Sequence, residues 1–186
     1  MRFGSPANWG ATPEERRRAQ PADTLLDGPV ARFDRAVTVQ APAALAYRWL
    51  CQISVAPYSY DLLDNLGHRS PRALTPGADD LAPGDTLIVF ELTEVDRGHS
   101  LTGRTFAKSE KLFGPVAATY SVEAIDERSC RMLCRIVVTS KGLRGRLKEF
   151  LLGWGDLVMM RKQLLTLKGY AERDARLNRT PPPAGR

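Results

Sequence analysis

The clearest structural pattern in the chain lies in four consecutive segments: VAATYSVEAI over residues 116–125, DERS over 126–129, CRMLCRIVVTS over 130–140 and KGLRGRLKEFLLGWGDLVMMRKQLLTLKGYAER over 141–173. The first and third pieces alternate between apolar and polar side chains, which is the period of a β-strand. The four-residue link between them is short enough for a hairpin. In the last piece, apolar residues recur at helical spacing. The stretch therefore predicts two antiparallel strands, Val116–Ile125 and Cys130–Ser140, followed by one long helix.

These predicted elements have apolar surfaces that can cover each other. Period two places one apolar face at Ala118, Tyr120, Val122, Ala124, Met132, Cys134, Ile136 and Val138. Arg131 and Arg135 lie on the opposite face. On a helical wheel, the residues within about 60° of Trp154 are Leu143, Leu147, Phe150, Leu151, Leu157, Val158 and Leu165. We therefore expect the helix to pack across the sheet through this arc, with Gln163 outside it.

The upstream sequence predicts three more strands and two short helices. In chain order these are a strand over Phe33–Gln40, a helix from Pro42 to about Ile53, a helix from Ser59 to Gly67, and strands over Thr86–Val95 and Ser100–Ala107. Ile88, Phe90 and Leu92 are expected to share one face, and Lys108–Pro115 is expected to be a loop. Short links between successive strands make residues 86–140 an antiparallel meander.

The composition changes along the chain divide it into an arm, one domain and a tail. Residues 1–28 are predicted to be a partly ordered N-terminal arm, residues 29–174 a ligand-binding domain, and residues 175–186 a disordered, proline-rich tail. Within the arm, Thr12 and Glu15 have the spacing of a capping box. This spacing predicts a short helix that ends near Ala19.

The overall composition is that of an ordinary globular protein, with 43% apolar and 26% charged residues. No apolar run approaches the roughly 20 residues that cross a bilayer. The N-terminus also lacks the apolar stretch of a signal peptide, so we expect a cytoplasmic location. Three cysteines and two histidines provide little material for a disulfide framework or a metal site. We expect no metal and no cofactor, with Cys130 and Cys134 unbonded and buried.

The formal charge of +6 is concentrated in the last quarter of the chain. Nucleic acid and anionic membrane surfaces are therefore alternatives to consider as partners. However, Arg144, Arg146 and Lys148 flank the predicted apolar arc, as the solvated rim of a core-packed helix would. The pattern does not favour nucleic acid, and a membrane surface stays a minor alternative.

Several short stretches resemble the START-like SRPBCC superfamily, which includes polyketide cyclase/dehydrase-like proteins, aromatase/cyclases, lipid-transfer domains and plant allergens. These stretches are Trp9–Glu14, Ala36–Pro42 leading into Tyr47–Leu50, Pro57–Gly67, Pro83–Asp85 and Val158–Leu164. The resemblance implies an α+β helix-grip fold: a curved antiparallel sheet wraps on a long C-terminal helix, with two short helices after the first strand. It also implies an apolar cavity between sheet and helix. No residue set matches a characterised catalytic motif.

Within such a cavity, we interpret two groups of residues as candidates for ligand binding. Tyr58, Tyr60 and Asp61 begin the second short helix, where hydroxyls beside a carboxylate could orient a polar group. Asp61 is also explained by the preference for negative charge in the first turn of a helix. Phe90, Tyr120, Trp154 and Val158 are expected to touch a pocket of several hundred Å³. They would fill a solid core if no pocket exists.

Arg161 is an unusual residue because it falls in the middle of the predicted apolar arc of the helix. An arginine there could bind a carboxylate or phosphate of the ligand. Alternatively, its side chain reaches water or pairs with a buried acid such as Glu91.

We favour the hypothesis that the chain binds a small apolar or aromatic molecule that has one polar end. A cyclase or aromatase enzyme is the second hypothesis, and an interaction protein with a solid core is the third. Ionisable residues that converge inside a cavity would favour the second, and absence of a cavity would favour the third.

Overall fold

The computed structural model describes residues 7–59, 69–139 and 142–179, with side chains described throughout except at 112–113, 142–157 and 179. Within these residues, seven strands form one sheet in the order β1-β2-β7-β6-β5-β4-β3. The strands are β1 (Asn8–Trp9), β2 (Val30–Val39), β3 (Thr86–Leu87), β4 (Phe90–Asp96), β5 (Ser100–Thr105), β6 (Val116–Ala124) and β7 (Cys130–Thr139). β1 runs parallel to β2, and every other neighbouring pair is antiparallel.

The described helices are α1 (Pro13–Arg17), α2 (Ala43–Cys51), α3 (Ala107–Phe113) and α4 (Gly142–Arg179), with 3₁₀ turns at Pro21–Thr24 and Gln52–Ser54. α4 continues past residue 174, where the sequence analysis ended the domain, and its Ala175 is buried. Among the described residues, no helix is both long enough and apolar enough to cross a membrane.

The predicted architecture is confirmed in its main features. β4, β5, β6 and β7 form the expected antiparallel meander, and the pairing of β6 with β7 runs from Val116 opposite Val138 to Ala124 opposite Cys130. The long C-terminal helix and the helix after the first long strand are present. The predicted helix from Ser59 to Gly67 falls largely outside the described residues.

The predicted strand Thr86–Val95 is wrong in one respect, because the chain turns back at Ile88 and forms two strands. Ile88 adopts a positive φ of 57°, which a β-branched residue rarely does, and Thr86–Leu87 then pairs antiparallel with Phe90–Glu91. Ile88 is therefore partly exposed, while Phe90 and Leu92 are buried as expected. The tight turn takes Ile88 off the common face.

The predicted loop Lys108–Pro115 is also wrong, since most of it forms helix α3. Residues 107–112 have side chains that favour a helix, and Gly114 ends it with a φ of 79°. Gly114 and Pro115 therefore end the helix without preventing it.

The predicted inner face of the long helix is wrong over its described second half. Met160, Leu164, Leu167 and Ala171 are buried there together with Gln163, whereas Val158, Arg161 and Leu165 are exposed. The buried face is thus rotated by about 120° from the predicted arc. The physical reason is charge: the predicted arc carries Arg161 and Lys168, and a turn that buries them would take both cations out of water.

The outer face of the sheet is covered by the N-terminal segment of residues 7–24. Arg135 is almost fully buried there, and its guanidinium binds Asp34 at 2.7 Å and Asp23 at 2.9 Å. It also donates to the backbone carbonyls of Glu15, Arg16 and Arg18. All five of its N–H donors are therefore used.

Two further contacts fix the segment in place. The predicted capping box of α1 is present, and the Glu15 carboxylate also binds Arg131 at 2.7 Å. Gly10 has a φ of 76°, and a Cβ at this position would lie 2.1 Å from the carbonyl oxygen of Ala36. The segment can approach the sheet this closely because residue 10 is a glycine.

Replacement of Gly103 by alanine should destabilise the sheet where β4 pairs with β5. A Cβ at Gly103 would lie 2.5 Å from the Glu91 carbonyl oxygen, so backbone would have to move. We expect the free energy of unfolding to fall by about 1–3 kcal/mol. In the control Gly169→Ala, the added Cβ meets nothing within 4 Å on an exposed helical site. The free energy of unfolding of that variant should rise by up to about 1 kcal/mol. Denaturant titration measures the free energy of unfolding of both variants. Equal values would contradict the close approach of Gly103 to the Glu91 carbonyl oxygen.

Candidate ligand site

The inner face of the sheet carries two adjacent rows of apolar residues, which we name the apolar floor. The first row crosses four strands through Phe33, Ile136, Ala118 and Gly103, and the second crosses three through Ala31, Val138 and Val116. Phe90 packs beside Gly103. Because Gly103 and Ala118 are small and directly opposite each other, the first row is lowest where it crosses β6 and β5, in the middle of the sheet.

Helix α4 runs antiparallel to β7 across this face. Gln163 contacts Tyr120, which is paired with Cys134, and Lys168 then donates to the carbonyl oxygen of Thr38 at 2.8 Å. α4 also begins three residues after β7 ends. The first half of α4 therefore lies at the same end of the sheet as the apolar floor.

Next to the apolar floor lies a row that contains polar side chains, which we name the polar row. Its members are Trp9, Arg35, Cys134, Tyr120 and Leu101, paired in this order across β1, β2, β7, β6 and β5. Arg35 is completely buried, and its guanidinium carbon lies 5.7 Å from the ring centroid of Phe33 on the apolar floor. A buried guanidinium thus borders the apolar floor.

The other polar residues of this region form a chain of hydrogen bonds. The Tyr120 hydroxyl donates to Oε1 of Gln163 at 3.3 Å and lies 3.6 Å from the sulfur of Met160. Gln163 Nε2 donates to the carbonyl oxygen of Pro57 at 2.6 Å. Gln163 therefore connects α4, β6 and the segment that leads to Tyr58.

The predicted corner at Tyr58 is only partly described. Tyr58 is buried, has a positive φ of 55°, and meets Trp49 and Tyr170 edge-on at 6.2 Å between ring centroids. Tyr60 and Asp61 lie outside the described residues. Tyr58 therefore belongs to an aromatic cluster with Trp49 and Tyr170.

Two of the three candidate residues on the long helix have exposed side chains. Val158 is 50% exposed. The guanidinium of Arg161 lies 5.6 Å from the ring centroid of Trp9, on an exposed side chain, and does not pair with Glu91. The side chain of Trp154 is among those not described. A pocket touched by Phe90, Tyr120, Trp154 and Val158 thus stays a prediction.

Cys130 and Cys134 are unbonded and buried, as expected, and so is Cys51. Burial raises the pKa of the Cys130 thiol to about 11 and that of the Cys51 thiol to about 12. Both thiols are therefore protonated at neutral pH and are weak nucleophiles.

Sequence reasoning did not single out Arg35, Gln163 or Phe33. Arg35 and Phe33 could have been found, because period two in β2 puts them on the same face as Val37 and Val39. Gln163 could have been found from the spacing of Met160, Leu164 and Leu167 alone.

A separate surface groove of about 350 Å³ lies between α2 and the end of α4. Its lining residues are Pro42, Ala44, Leu45, Arg48, Ala175 and Asn178. None of the predicted site residues contributes to it.

No protein-family model and no curated protein sequence matches this chain. Among solved structures, norcoclaurine synthase from Thalictrum flavum, in complex with dopamine and hydroxybenzaldehyde, is 15% identical to it. That match covers 83% of this chain and 90% of the synthase, with a TM-score of 0.50. A protein from Thermobifida fusca, solved by solution NMR, is 18% identical over 76% of this chain and 95% of its own length, also with a TM-score of 0.50.

The aromatase/cyclase Zhui from Streptomyces sp. R1128 is 16% identical over 81% of this chain and 99% of its own length. Its TM-score of 0.39 is too low to support an argument about this chain. The matches at 0.50, together with the antiparallel sheet and long C-terminal helix, define a helix-grip protein. This helix-grip fold is the one that the sequence resemblance implied.

Proposed function

We propose that this chain binds a small apolar or aromatic molecule between the apolar floor and helix α4. The observation that carries the proposal is the apolar floor itself, where small residues lie at the centre of a face that the helix crosses. Apolar concave surfaces with a few polar groups at their edge are typical of small-molecule sites. The synthase with the same fold holds two small aromatic molecules in its solved structure, which supports this class of ligand.

Native mass spectrometry of the purified protein tests the proposal directly. We expect a fraction of the protein to carry one small molecule, and the protein to bind an added aromatic probe such as 2-naphthamide at one site per chain. Isothermal titration calorimetry measures that binding. A protein with no retained molecule and no saturable binding of the probe would support the solid-core alternative.

Trp154 provides a second test of the proposal. The sequence places this residue in the middle of the predicted apolar arc, in the half of α4 that lies at the same end of the sheet as the apolar floor. Replacement by alanine should change the affinity for 2-naphthamide at least tenfold. Leu177→Ala is the control, since Leu177 is 66% exposed near the other end of α4. Unchanged affinity in both variants would mean that Trp154 does not contact the ligand.

A further inference from the structure

We propose that the outward side of helix α4 binds the surface of an anionic lipid bilayer, so that the protein attaches reversibly to a membrane through this helix. We name this surface the α4 patch, and its members are Val158, Met159, Arg161, Lys162 and Leu165. The inference goes beyond the proposed function, because the α4 patch lies on the side of the helix that is turned away from the sheet.

The α4 patch concentrates exposed apolar surface. Among the described side chains, seven large apolar ones are exposed, and three of them lie within eight residues of α4: Val158 at 50%, Met159 at 41% and Leu165 at 37%. Met160 and Leu164 in the same stretch are buried in the core. The helix therefore has one apolar side in the core and a second in contact with solvent. Exposed apolar side chains that are grouped in this way mark a contact surface.

The charge of the α4 patch is entirely positive. Arg161 and Lys162 are both exposed, and the sequence has no acidic residue over 157–171. The next acid along the helix, Glu172, forms an ion pair with Lys168. Cations beside apolar side chains complement a bilayer of anionic lipids, because the cations meet the phosphates while the apolar groups enter the boundary with the acyl chains.

Trp9 extends the α4 patch from the neighbouring edge strand β1. Its side chain is half-buried, and its ring centroid lies 5.6 Å from the guanidinium carbon of Arg161. Tryptophan has an apolar ring with one polar N–H, and it is enriched where membranes meet water. A cation, an aromatic ring and apolar side chains thus lie together on one exposed surface.

The sequence argument against a membrane surface requires that the apolar arc of α4 packs on the sheet. Only then do the surrounding cations form the solvated rim of a core-packed helix. In the described half of the helix, Val158 and Leu165 belong to this arc and are exposed. The argument against a membrane therefore does not hold for this half.

A second copy of the chain fits the α4 patch less well than a bilayer does. In a symmetrical dimer, the same surface of each chain faces the other. Arg161 and Lys162 of both chains would then come together, and the patch has no acidic residue to pair with them. Like charges that face each other across an interface oppose association.

Co-sedimentation of the full chain with lipid vesicles tests the proposal. One set of vesicles is pure phosphatidylcholine, which has no net charge. The other is an equal mixture of phosphatidylcholine and anionic phosphatidylglycerol. The wild-type protein should bind the anionic vesicles about tenfold more tightly or better, because each cation near the surface adds to the attraction. Added salt should weaken this binding, since it screens exposed charges.

Variants of the α4 patch show whether this surface makes the contact. Arg161→Gln combined with Lys162→Gln should weaken binding to anionic vesicles by about fivefold for each cation removed. Leu165→Gln should weaken it by about fivefold, because less apolar surface is buried. The matched control combines Ile125→Gln with Arg128→Gln, an exposed apolar residue and an exposed cation of the link between β6 and β7. It should bind as the wild type does, and circular dichroism checks that each variant is folded.

Several results would overturn the proposal. These are no binding of the wild type to anionic vesicles, equal binding to both kinds of vesicle, unchanged binding of the folded patch variants, and an equal loss in the control. Analytical ultracentrifugation examines the other occupant. A wild-type dimer that Leu165→Gln dissociates would assign the α4 patch to a second copy and overturn the membrane contact. Binding of 2-naphthamide is measured separately, so this inference and the proposed function can fail independently.

Discussion

Replacing Arg135 with methionine should lower the free energy of unfolding by about 3–5 kcal/mol. Arg135 is buried between the sheet and the N-terminal segment, and two carboxylates, those of Asp23 and Asp34, face its guanidinium. Removal of the cation would leave both carboxylates beside a dry, uncharged side chain. Three backbone carbonyls would also lose their donors. Denaturant-induced unfolding, followed by circular dichroism, measures the loss.

Arg32→Met is the matched control for this experiment. Arg32 binds the same Asp23 carboxylate at 2.9 Å, but its side chain is 51% exposed. An exposed ion pair contributes at most about 1 kcal/mol, so the control should lose little stability. Similar losses in the two variants would show that the N-terminal segment does not bury Arg135.

Replacing Leu164 with alanine should cost about 2–5 kcal/mol, the range for a large-to-small change in a closed core. Leu164 has no exposed surface, and it packs in the main core on the inward face of α4. Its neighbour Leu165 is 37% exposed, so Leu165→Ala should cost less than about 1 kcal/mol. The same substitution at adjacent positions keeps the effect on helix propensity equal. The difference in the free energy of unfolding therefore reports burial.

This pair of variants also discriminates between the two possible orientations of the helix. The apolar arc read from the sequence places Leu165 inside, whereas the structure places Leu164 there. A larger loss from Leu165→Ala than from Leu164→Ala would support the arc and contradict the packing of α4. The thermal unfolding temperatures of both variants show independently which substitution destabilises the protein more.

The strands of the meander could be predicted because each pattern is local. Alternation in 116–125 and 130–140, with a four-residue link, allows little besides an antiparallel hairpin, and β6 and β7 have this pairing. The split at Ile88 could not be predicted in this way. A positive φ at a β-branched residue opposes local preference, and the pairing of Thr86–Leu87 with β4 is what makes it tolerable.

The candidate site was predicted less completely than the fold. Phe90 and Tyr120 were placed correctly on buried faces, because period two determines the face once a strand is known. Helical periodicity is less decisive, because a helix can present more than one partly apolar side and the sheet decides which side is buried. Val158 and Arg161 lie on the same predicted stripe as the apolar residues of the segment 143–157, yet both are exposed.

Residues close together in the chain were enough to predict strands β2, β5, β6 and β7, the antiparallel meander, the long C-terminal helix and the capping box of α1. Which groups cover each face of the sheet depends on contacts between distant parts of the chain. Arg35 and Arg135 are both buried in the structure, one on each side of the sheet. No local pattern predicts this, because the burial of a charge depends on groups that are distant in sequence. For Arg135 these are Asp23, Asp34 and the backbone of α1, about 100 residues away.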